Sequence, residues 1–223
     1  MTGGLLAIVP IRSLRHGKTR LDGALLPPAR SALIKRMLLG VTAALTESGA
    51  VERVGVVSPD PEALALASTL GSDVEPVAQE VTAPGLNPAL EAGRDWATAH
   101  DAGGLLVLFG DLPLLTAGDV QHIVRRDAPV VISPDRHGTG TNALLLRNGA
   151  AQDFGFLFGP GSYERHVEEA HRLGLEVATS VTPGTAIDLD TPEDLRLLGL
   201  EPLSPGQFDV ERVRIRLLES LPR

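Results

Sequence analysis

The chain has 223 residues, of which 20 are basic and 28 acidic, and it contains no cysteine, so its formal net charge is −8. This length suits one domain with a sizeable core, and the lack of cysteine excludes disulfides, thiolate metal sites and a cysteine nucleophile. The acidic balance argues against a nucleic-acid partner, and no apolar run approaches the ~20 residues that span a bilayer, so we expect a cytoplasmic protein with no membrane partner.

Strands and helices are predicted to alternate up to residue 133. Short apolar runs predict strands, and apolar residues three and four apart predict helices. We predict strands at 5–11, 54–57, 74–77, 105–109 and 130–133, separated by helices at 28–45, 61–70, 87–100 and 117–126. This alternation is typical of a mostly parallel sheet covered by helices on both faces.

The pattern changes after Pro134. In chain order we predict a Gly-rich loop at 135–141, a strand at 143–146, an apolar stretch at 154–161, a helix at 162–173, a strand at 185–190 and a short helix from 192. Ser162 and Thr191 are the predicted N-caps of the two helices, because hydroxyl side chains accept hydrogen bonds from the first turn. One domain is therefore predicted over residues 1–200.

The remaining residues, 201–223, form a predicted C-terminal helical extension. Apolar residues within 210–221 recur at spacings of three and four, which predicts an amphipathic helix. A helix of about 12 residues is marginal alone in water, so its apolar face must be covered. The cover is either the domain itself or a second copy of the chain in a homodimer.

A basic loop follows the first predicted strand. Arg12, Arg15, Lys18 and Arg20 stand just beyond its carboxyl end, where open α/β sheets bind ligands. Converging cations suit a polyphosphate, because Arg offers forked hydrogen bonds and Lys a point charge. A solvated surface loop is the alternative. The P-loop motif is excluded, because Arg12 stands where its first Gly would be.

Carboxylates follow two other predicted strands. Asp111 comes directly after the apolar run at 105–109, and Asp188 and Asp190 stand two apart in the strand predicted at 185–190, hence on one face. Mg²⁺ prefers one or two carboxylates together with substrate phosphates. The alternatives are that Asp111 caps a turn and that Asp190 belongs to the start of the last helix.

Two Gly-rich segments, 135–142 and 159–162, offer backbone N–H groups and hydroxyls. The second segment opens a predicted helix, and helix N-termini bind anions readily. Ordinary turn chemistry explains each segment equally well when it is taken alone. No pairing of a histidine with a nucleophile is evident from the sequence.

The resemblance to a known family rests on five segments, which are VPIRSLRHGKTRL, GDLPLL, DRHGTGTNALL, FGPGSYERH and AIDLDTPEDL. In their order and spacing they resemble the guanylyltransferases of coenzyme F420 biosynthesis, over about residues 5–198. The resemblance implies a GT-A-like nucleotidyltransferase fold, which is a mostly parallel sheet in an α/β/α sandwich. It also implies dependence on Mg²⁺.

The site residues of that family correspond to particular positions in this chain. The metal-binding aspartates correspond to Asp111, Asp188 and Asp190. The acceptor-binding positions correspond to Thr141, Gly159 and Ser162. Lys18 is the lysine of the family's K-[ST]-R-L segment, whereas Arg12 stands where the family commonly has Lys. That departure keeps the positive charge and changes the geometry offered to a phosphate.

The reaction implied by the resemblance is transfer of GMP from GTP to a small phosphorylated acid, namely 2-phospho-L-lactate, phosphoenolpyruvate or 3-phosphoglycerate, with release of pyrophosphate. Lys18 and Asp111 are the expected catalytic residues. The expected nucleotide-binding residues are Arg12, Lys18, Arg20, Gly85 and Asn87. The alternatives are another nucleotidyltransferase of the same fold, of molybdopterin or sugar-phosphate type, and a non-catalytic nucleotide-binding regulator.

Overall fold

The structure is a computed structural model that describes residues 3–80, 82–147 and 149–200. The strands in these ranges are β1 (Leu5–Pro10), β2 (Arg53–Ser58), β3 (Val74–Ala78), β4 (Gly104–Leu108), β5 (Val130–Pro134), β6 (Thr141–Arg147) and β7 (Val177–Thr179). The helices are α1 (Pro27–Glu47), α2 (Pro61–Ala67), α3 (Leu86–Ala99), α4 (Ala117–Val124), α5 (Ala150–Asp153), α6 (Ser162–Arg172), α7 (Pro183–Ala186) and α8 (Pro192–Leu197), with a 3₁₀ turn at Thr19–Leu21. The predicted extension 201–223 and its helix over 210–221 lie outside the described residues.

These strands join one sheet in the order β3-β2-β1-β4-β6-β5-β7. β1 runs parallel to both of its neighbours, with Ile8 opposite Gly55 of β2 and Val107 of β4. β6 runs antiparallel to β4 and β5, while β7 is again parallel to β5. The predicted mostly parallel sheet is therefore confirmed. The carboxyl ends of β1 and β4 lie side by side at one edge of it.

Two apolar layers cover the sheet, one on each face. Because side chains alternate along a strand, Ala7 and Val9 of β1 enter one core, whereas Leu6 and Ile8 enter the other. Helices α1, α2, α4 and α8 contribute to the first core, and α3, α5 and α6 contribute to the second. The result is the predicted α/β/α sandwich. None of the helices in the three described ranges is long and apolar enough to cross a membrane.

The strand predicted at 185–190 is wrong. Pro183–Ala186 forms the short helix α7, and the backbone from 187 to 190 is irregular. The reason is local, because the hydroxyl of Thr182 accepts a hydrogen bond from the N–H of Thr185 (3.2 Å) and Pro183 takes the first helical position. Asp188 and Asp190 therefore do not share the face of a strand.

Helix boundaries also differ from the predicted ones. Ser162 is the first residue of α6 and not its N-cap, because Gly161 takes the N-cap position in the left-handed conformation (φ 69°). α2 ends at Ala67, which is earlier than predicted. The predicted N-cap Thr191 is confirmed, since its hydroxyl accepts from the N–H of Asp194. The short strand β7 is not predicted, because Val177 and Ala178 are only half-buried and Thr179 is exposed.

Two helical glycines form a matched pair that tests how closely α3 packs on the sheet. A Cβ added at Gly93 of α3 would lie 2.8 Å from Cδ1 of Ile8 and 3.1 Å from Cγ2 of Val57, whereas one at Gly40 of α1 would meet nothing within 4 Å. Gly-to-Ala replacement inside a helix stabilises by about 1 kcal/mol, while overpacking a core costs about 1–3 kcal/mol.

We therefore expect Gly40→Ala to raise the free energy of unfolding by about 1 kcal/mol. Gly93→Ala should lower it by up to about 2 kcal/mol, since the core must yield. Urea titration of both variants measures the difference. If Gly93→Ala proved as stable as Gly40→Ala, the close approach of α3 to β1 would be refuted.

Candidate active site

A pocket of 1060 Å³ opens at the carboxyl ends of β1 and β4. Its volume lies at the upper end of the range of small-molecule sites, about 300–1,000 Å³. Six of the predicted site residues line it, namely Arg12, Lys18, Arg20, Gly85, Asp111 and Asp190. They come from loops after three strands and from the segment before α8, because parallel strands bring such loops to one edge.

The ammonium group of Lys18 lies between two carboxylates. Its Nζ is 2.5 Å from Oδ2 of Asp111 and also donates to Oδ1 of Asp190. The Lys18 side chain is only 12% exposed. Burial alone would lower the pKa of Lys18, but the charges of the two carboxylates outweigh it and raise this pKa above its usual value. Lys18 is therefore a fixed positive charge near neutral pH.

The backbone of Lys18 has an uncommon conformation and lies between two hydrogen-bonded parts of the loop. Lys18 has a left-handed conformation (φ 55°, ψ 41°), which is uncommon for a residue other than Gly. On its carboxyl side, the N–H of the fully buried Leu21 donates to the Lys18 carbonyl (2.9 Å). Earlier in the loop, the Asp60 carboxylate accepts from the N–H of Leu14 (2.9 Å). The loop is thus fastened on both sides of the strained residue.

The carboxylates hold more negative charge than Lys18 balances. Oδ1 of Asp111 is buried and has no hydrogen-bond partner among the described residues. Burial and then the charge of Asp111 raise the pKa of Asp188. Oxygen ligands of this kind suit a hard divalent cation. No three His, Asp or Glu side chains in 3–80, 82–147 and 149–200 form a ready-made metal cluster, and the Lys18 ammonium stands between Asp111 and Asp190.

Asp194 organises the turn that carries Asp190. One oxygen of its buried carboxylate accepts from the N–H groups of Asp190 (2.8 Å) and Thr191 (2.7 Å), and the other lies 2.5 Å from Nη1 of Arg136. Burial would raise the pKa of Asp194, but these hydrogen bonds outweigh it and lower the pKa. Sequence reasoning missed both Asp194 and Arg136, because an acidic residue three positions after an N-cap Thr is explained by an ordinary capping box.

None of the three predicted acceptor-binding residues is among the residues that line the pocket. Thr141 and Ser162 are buried, and Gly159 has a φ of 121° in the loop before α6. Nε2 of His166 accepts from the N–H of Leu157 (3.1 Å), so Nδ1 carries the proton and donates to the Thr141 hydroxyl (3.0 Å). His166 therefore ties β6 to the loop before α6.

Asn87 does not line this pocket. Its side-chain oxygen accepts from the N–H of Phe158 (3.1 Å), and its nitrogen donates to the carbonyl of the same residue (3.4 Å), so the amide joins α3 to the loop before α6. Gln79, which sequence reasoning missed, does line the pocket. It is buried and donates to the carbonyls of Ala83 (2.7 Å) and Gly85 (2.9 Å). Gln79 thereby shapes the loop that leads into α3.

The fold is shared with known nucleotidyltransferases. A protein described as a nucleotide-diphospho-sugar transferase from Desulfovibrio desulfuricans G20 has a similar structure, with a TM-score of 0.72, 18% sequence identity, and coverage of 88% of this chain and 86% of that one. A likeness at this identity shows the fold alone. The GT-A-like nucleotidyltransferase fold is therefore confirmed.

Sequence relatives define the family. The family model described as guanylyl transferase CofC like matches residues 5–201. The phosphoenolpyruvate guanylyltransferase of Rubrobacter xylanophilus is 45% identical over 197 residues, covering 87% of this chain and 93% of that protein. The 2-phospho-L-lactate guanylyltransferase of Methanothermobacter thermautotrophicus is 36% identical over 191 residues, covering 85% and 81%. This chain belongs to the CofC-like guanylyl transferase family.

The buried imidazole of His166 makes the fold sensitive to acid. Burial and then the charge of Arg165 lower the pKa of His166 from 6.5 to about 4. As the pH falls below 6.5, the unfolded chain takes up this proton, while the folded chain does not until about pH 4. The contribution of neutral His166 to the free energy of unfolding is therefore complete above pH 6.5. It is lost as the pH falls from 6.5 to about 4, by about 3 kcal/mol in all.

We expect His166→Gln to flatten this pH dependence, because Gln cannot titrate but can still donate and accept hydrogen bonds. Urea titrations of both proteins at about pH 7 and about pH 4.5 give the loss of unfolding free energy in each. The unmodified chain should lose up to about 3 kcal/mol more than the variant. Equal losses would mean that His166 is not held neutral by the fold.

The Asp194–Arg136 pair can be tested against a matched capping box. Asp119 accepts hydrogen bonds from the N–H and hydroxyl of Thr116 at the start of α4, without an ion pair to any described residue. We expect Asp194→Asn to cost about 3 kcal/mol, because Arg136 loses a buried partner, and Asp119→Asn to cost about 1 kcal/mol. Urea unfolding measures both losses of unfolding free energy. Equal losses would mean that Asp194 acts only as part of a capping box and that its ion pair with Arg136 adds nothing.

Proposed function

We propose that this chain transfers GMP from GTP to the phosphate of a small phosphorylated acid and releases pyrophosphate, as a step in coenzyme F420 biosynthesis. The observation that carries the proposal is the pocket in which Arg12, Lys18 and Arg20 meet Asp111 and Asp190. Cations of this kind suit a triphosphate, and the carboxylates suit a divalent cation. The names of the relatives support a guanylyl donor and a phosphorylated-acid acceptor.

The reaction needs little from acid–base groups. A phosphate oxygen of the acceptor attacks the α-phosphorus of GTP, the bond to the bridging oxygen breaks, and pyrophosphate leaves with that oxygen and its electron pair. A phosphate monoester is already anionic near pH 7, so no general base is required. Catalysis then consists of positioning the two anions and neutralising their charge.

Lys18, Arg12 and Arg20 are assigned to the triphosphate. Arg20 is 75% exposed and its Nη1 lies 3.8 Å from Oδ2 of Asp190, so it is free to turn toward a phosphate. Arg12 offers a forked donor, which suits a phosphate. We assign Gly85, the N-cap of α3, and Asn87, in the first turn of α3, to the base or ribose of the nucleotide.

Mg²⁺ fits the carboxylates at this end of the sheet. Asp111, Asp188 and Asp190 would hold it, and the buried Oδ1 of Asp111 is an oxygen without a hydrogen-bond partner among the described residues. When bound, Mg²⁺ supplies charge neutralisation at the phosphates and at the leaving pyrophosphate. Lys18 and Asp111 remain the assigned catalytic residues of the chain itself.

The acceptor is assigned to Thr141, Gly159 and Ser162. Ser162 is the first residue of α6, and the positive end of a helix dipole favours an anion. His166 fixes the Thr141 hydroxyl by donating to it, which leaves the hydroxyl proton free to turn to another acceptor. A cytoplasmic location accompanies this proposal.

Pyrophosphate release tests the function. GTP, CTP, ATP and UTP are each incubated with Mg²⁺ and with 2-phospho-L-lactate, phosphoenolpyruvate or 3-phosphoglycerate. We expect release that requires GTP and one of these acids. Release only with another nucleotide and a sugar phosphate would indicate a different nucleotidyltransferase. A thermal shift with GTP but no release under any condition would indicate a non-catalytic regulator.

The metal assignment is tested by removing one negative charge at a time. We expect Asp111→Asn, Asp188→Asn and Asp190→Asn each to lose about 100-fold or more of the pyrophosphate release while remaining folded. Asp73→Asn is the matched control, since Asp73 is exposed just before β3, at the opposite end of the strands. Near-normal turnover in any of the three variants would remove that residue from the assignment.

A further inference from the structure

Lys18 fills the space that a divalent cation would need. Its Nζ contacts Oδ2 of Asp111 at 2.5 Å and also contacts Oδ1 of Asp190. A Mg²⁺ ion bound by the same two oxygens would lie about 2.1 Å from each of them, which is within the volume of the ammonium group. Two positive charges cannot share that volume, so each excludes the other.

The ammonium is also an incomplete substitute for a divalent cation. It brings one positive charge to three carboxylates, those of Asp111, Asp188 and Asp190. Oδ1 of Asp111 stays buried without a partner among the described residues. Arg20 is a second cation beside the cluster, with its Nη1 3.8 Å from Oδ2 of Asp190. Two positive charges therefore face three carboxylates while Lys18 occupies the site.

A triphosphate in the same pocket would offer Lys18 other acceptors. Arg12 and Arg20 line the same pocket as Lys18. All three residues are assigned above to phosphates. A lysine carries three rotatable donors on a flexible stem, so Lys18 can change partners without a change in its own backbone. Hydrogen bonds at Leu21 and Leu14 fasten its loop, so a change of partner needs movement of the side chain alone.

Building on the proposed function, we propose that Lys18 occupies the metal site of the nucleotide-free chain and leaves it when a nucleoside triphosphate binds. The divalent cation and the nucleotide then bind as a pair, and free metal alone binds weakly. By linkage, the metal must strengthen nucleotide binding by the same factor as the nucleotide strengthens metal binding. Lys18 thereby makes the site selective for the metal–nucleotide complex.

Binding of Mn²⁺ to the full chain tests this role. Free Mn²⁺ is followed by electron paramagnetic resonance, with and without a non-hydrolysable GTP analogue and without acceptor. We expect the unmodified chain to bind Mn²⁺ weakly alone, and Lys18→Met to bind it about tenfold or more tightly under the same conditions. The nucleotide should strengthen Mn²⁺ binding less in the variant than in the unmodified chain, and the remaining effect measures the phosphates acting as ligands.

Lys35→Met is the matched control, because Lys35 is the other lysine of the chain and its Nζ pairs with Glu62 (2.7 Å). Its affinity for Mn²⁺ should be unchanged. Thermal unfolding provides a second readout, since Lys18→Met should be less stable in EDTA and gain more from Mn²⁺ than the unmodified chain. Lys18→Gln repeats both measurements if the Met variant does not fold.

Two results would overturn the inference. One is equally tight binding of Mn²⁺ to the unmodified chain with and without the GTP analogue. The other is unchanged or weaker Mn²⁺ binding in a folded Lys18 variant. Failure of the proposed function is a separate result, because a missing pyrophosphate signal with GTP leaves the nucleotide-free Mn²⁺ affinities as they are.

Discussion

Repulsion among Asp111, Asp188 and Asp190 is the constraint on which the rest of the pocket depends. Two like charges about 4 Å apart repel by about 4 kcal/mol near a protein surface, so the fold must both hold these carboxylates in place and supply positive charge. Lys18 supplies part of it from between two of the carboxylates. In the proposed function a divalent cation would supply the rest, and the unpartnered oxygen of Asp111 is one that it would contact.

The fold meets this constraint with contacts between distant parts of the chain. Parallel pairing of β1 and β4 brings the Lys18 loop beside Asp111. The N–H of Leu189 donates to the carbonyl of Asp111 (3.0 Å), which fastens the segment carrying Asp188 and Asp190 next to it. Asp194 and Arg136 then connect that segment to the Gly-rich loop after β5. The charges are thus held by backbone hydrogen bonds and one buried ion pair.

The contacts that depend only on which strands are neighbours could be predicted from the sequence. Lys18 and Asp111 follow the carboxyl ends of strands that read clearly as apolar runs, so their meeting in one pocket could be anticipated. Asp188 and Asp190 were predicted to share one face of a strand. That strand does not form, because the capping box of Thr182 starts the helix α7 there instead. The ion pair of Asp194 with Arg136 and the amide contacts of Asn87 join residues far apart in sequence, and local patterns carry no signal for such contacts.

The arrangement of charges is most directly tested by anomalous diffraction from crystals grown with Mn²⁺ and a non-hydrolysable GTP analogue. We expect a manganese peak between the carboxylates of Asp111 and Asp190, with the ammonium of Lys18 moved onto the phosphates. A manganese peak remote from these carboxylates would contradict it. So would a structure in which Lys18 still contacts both carboxylates while the nucleotide fills the pocket.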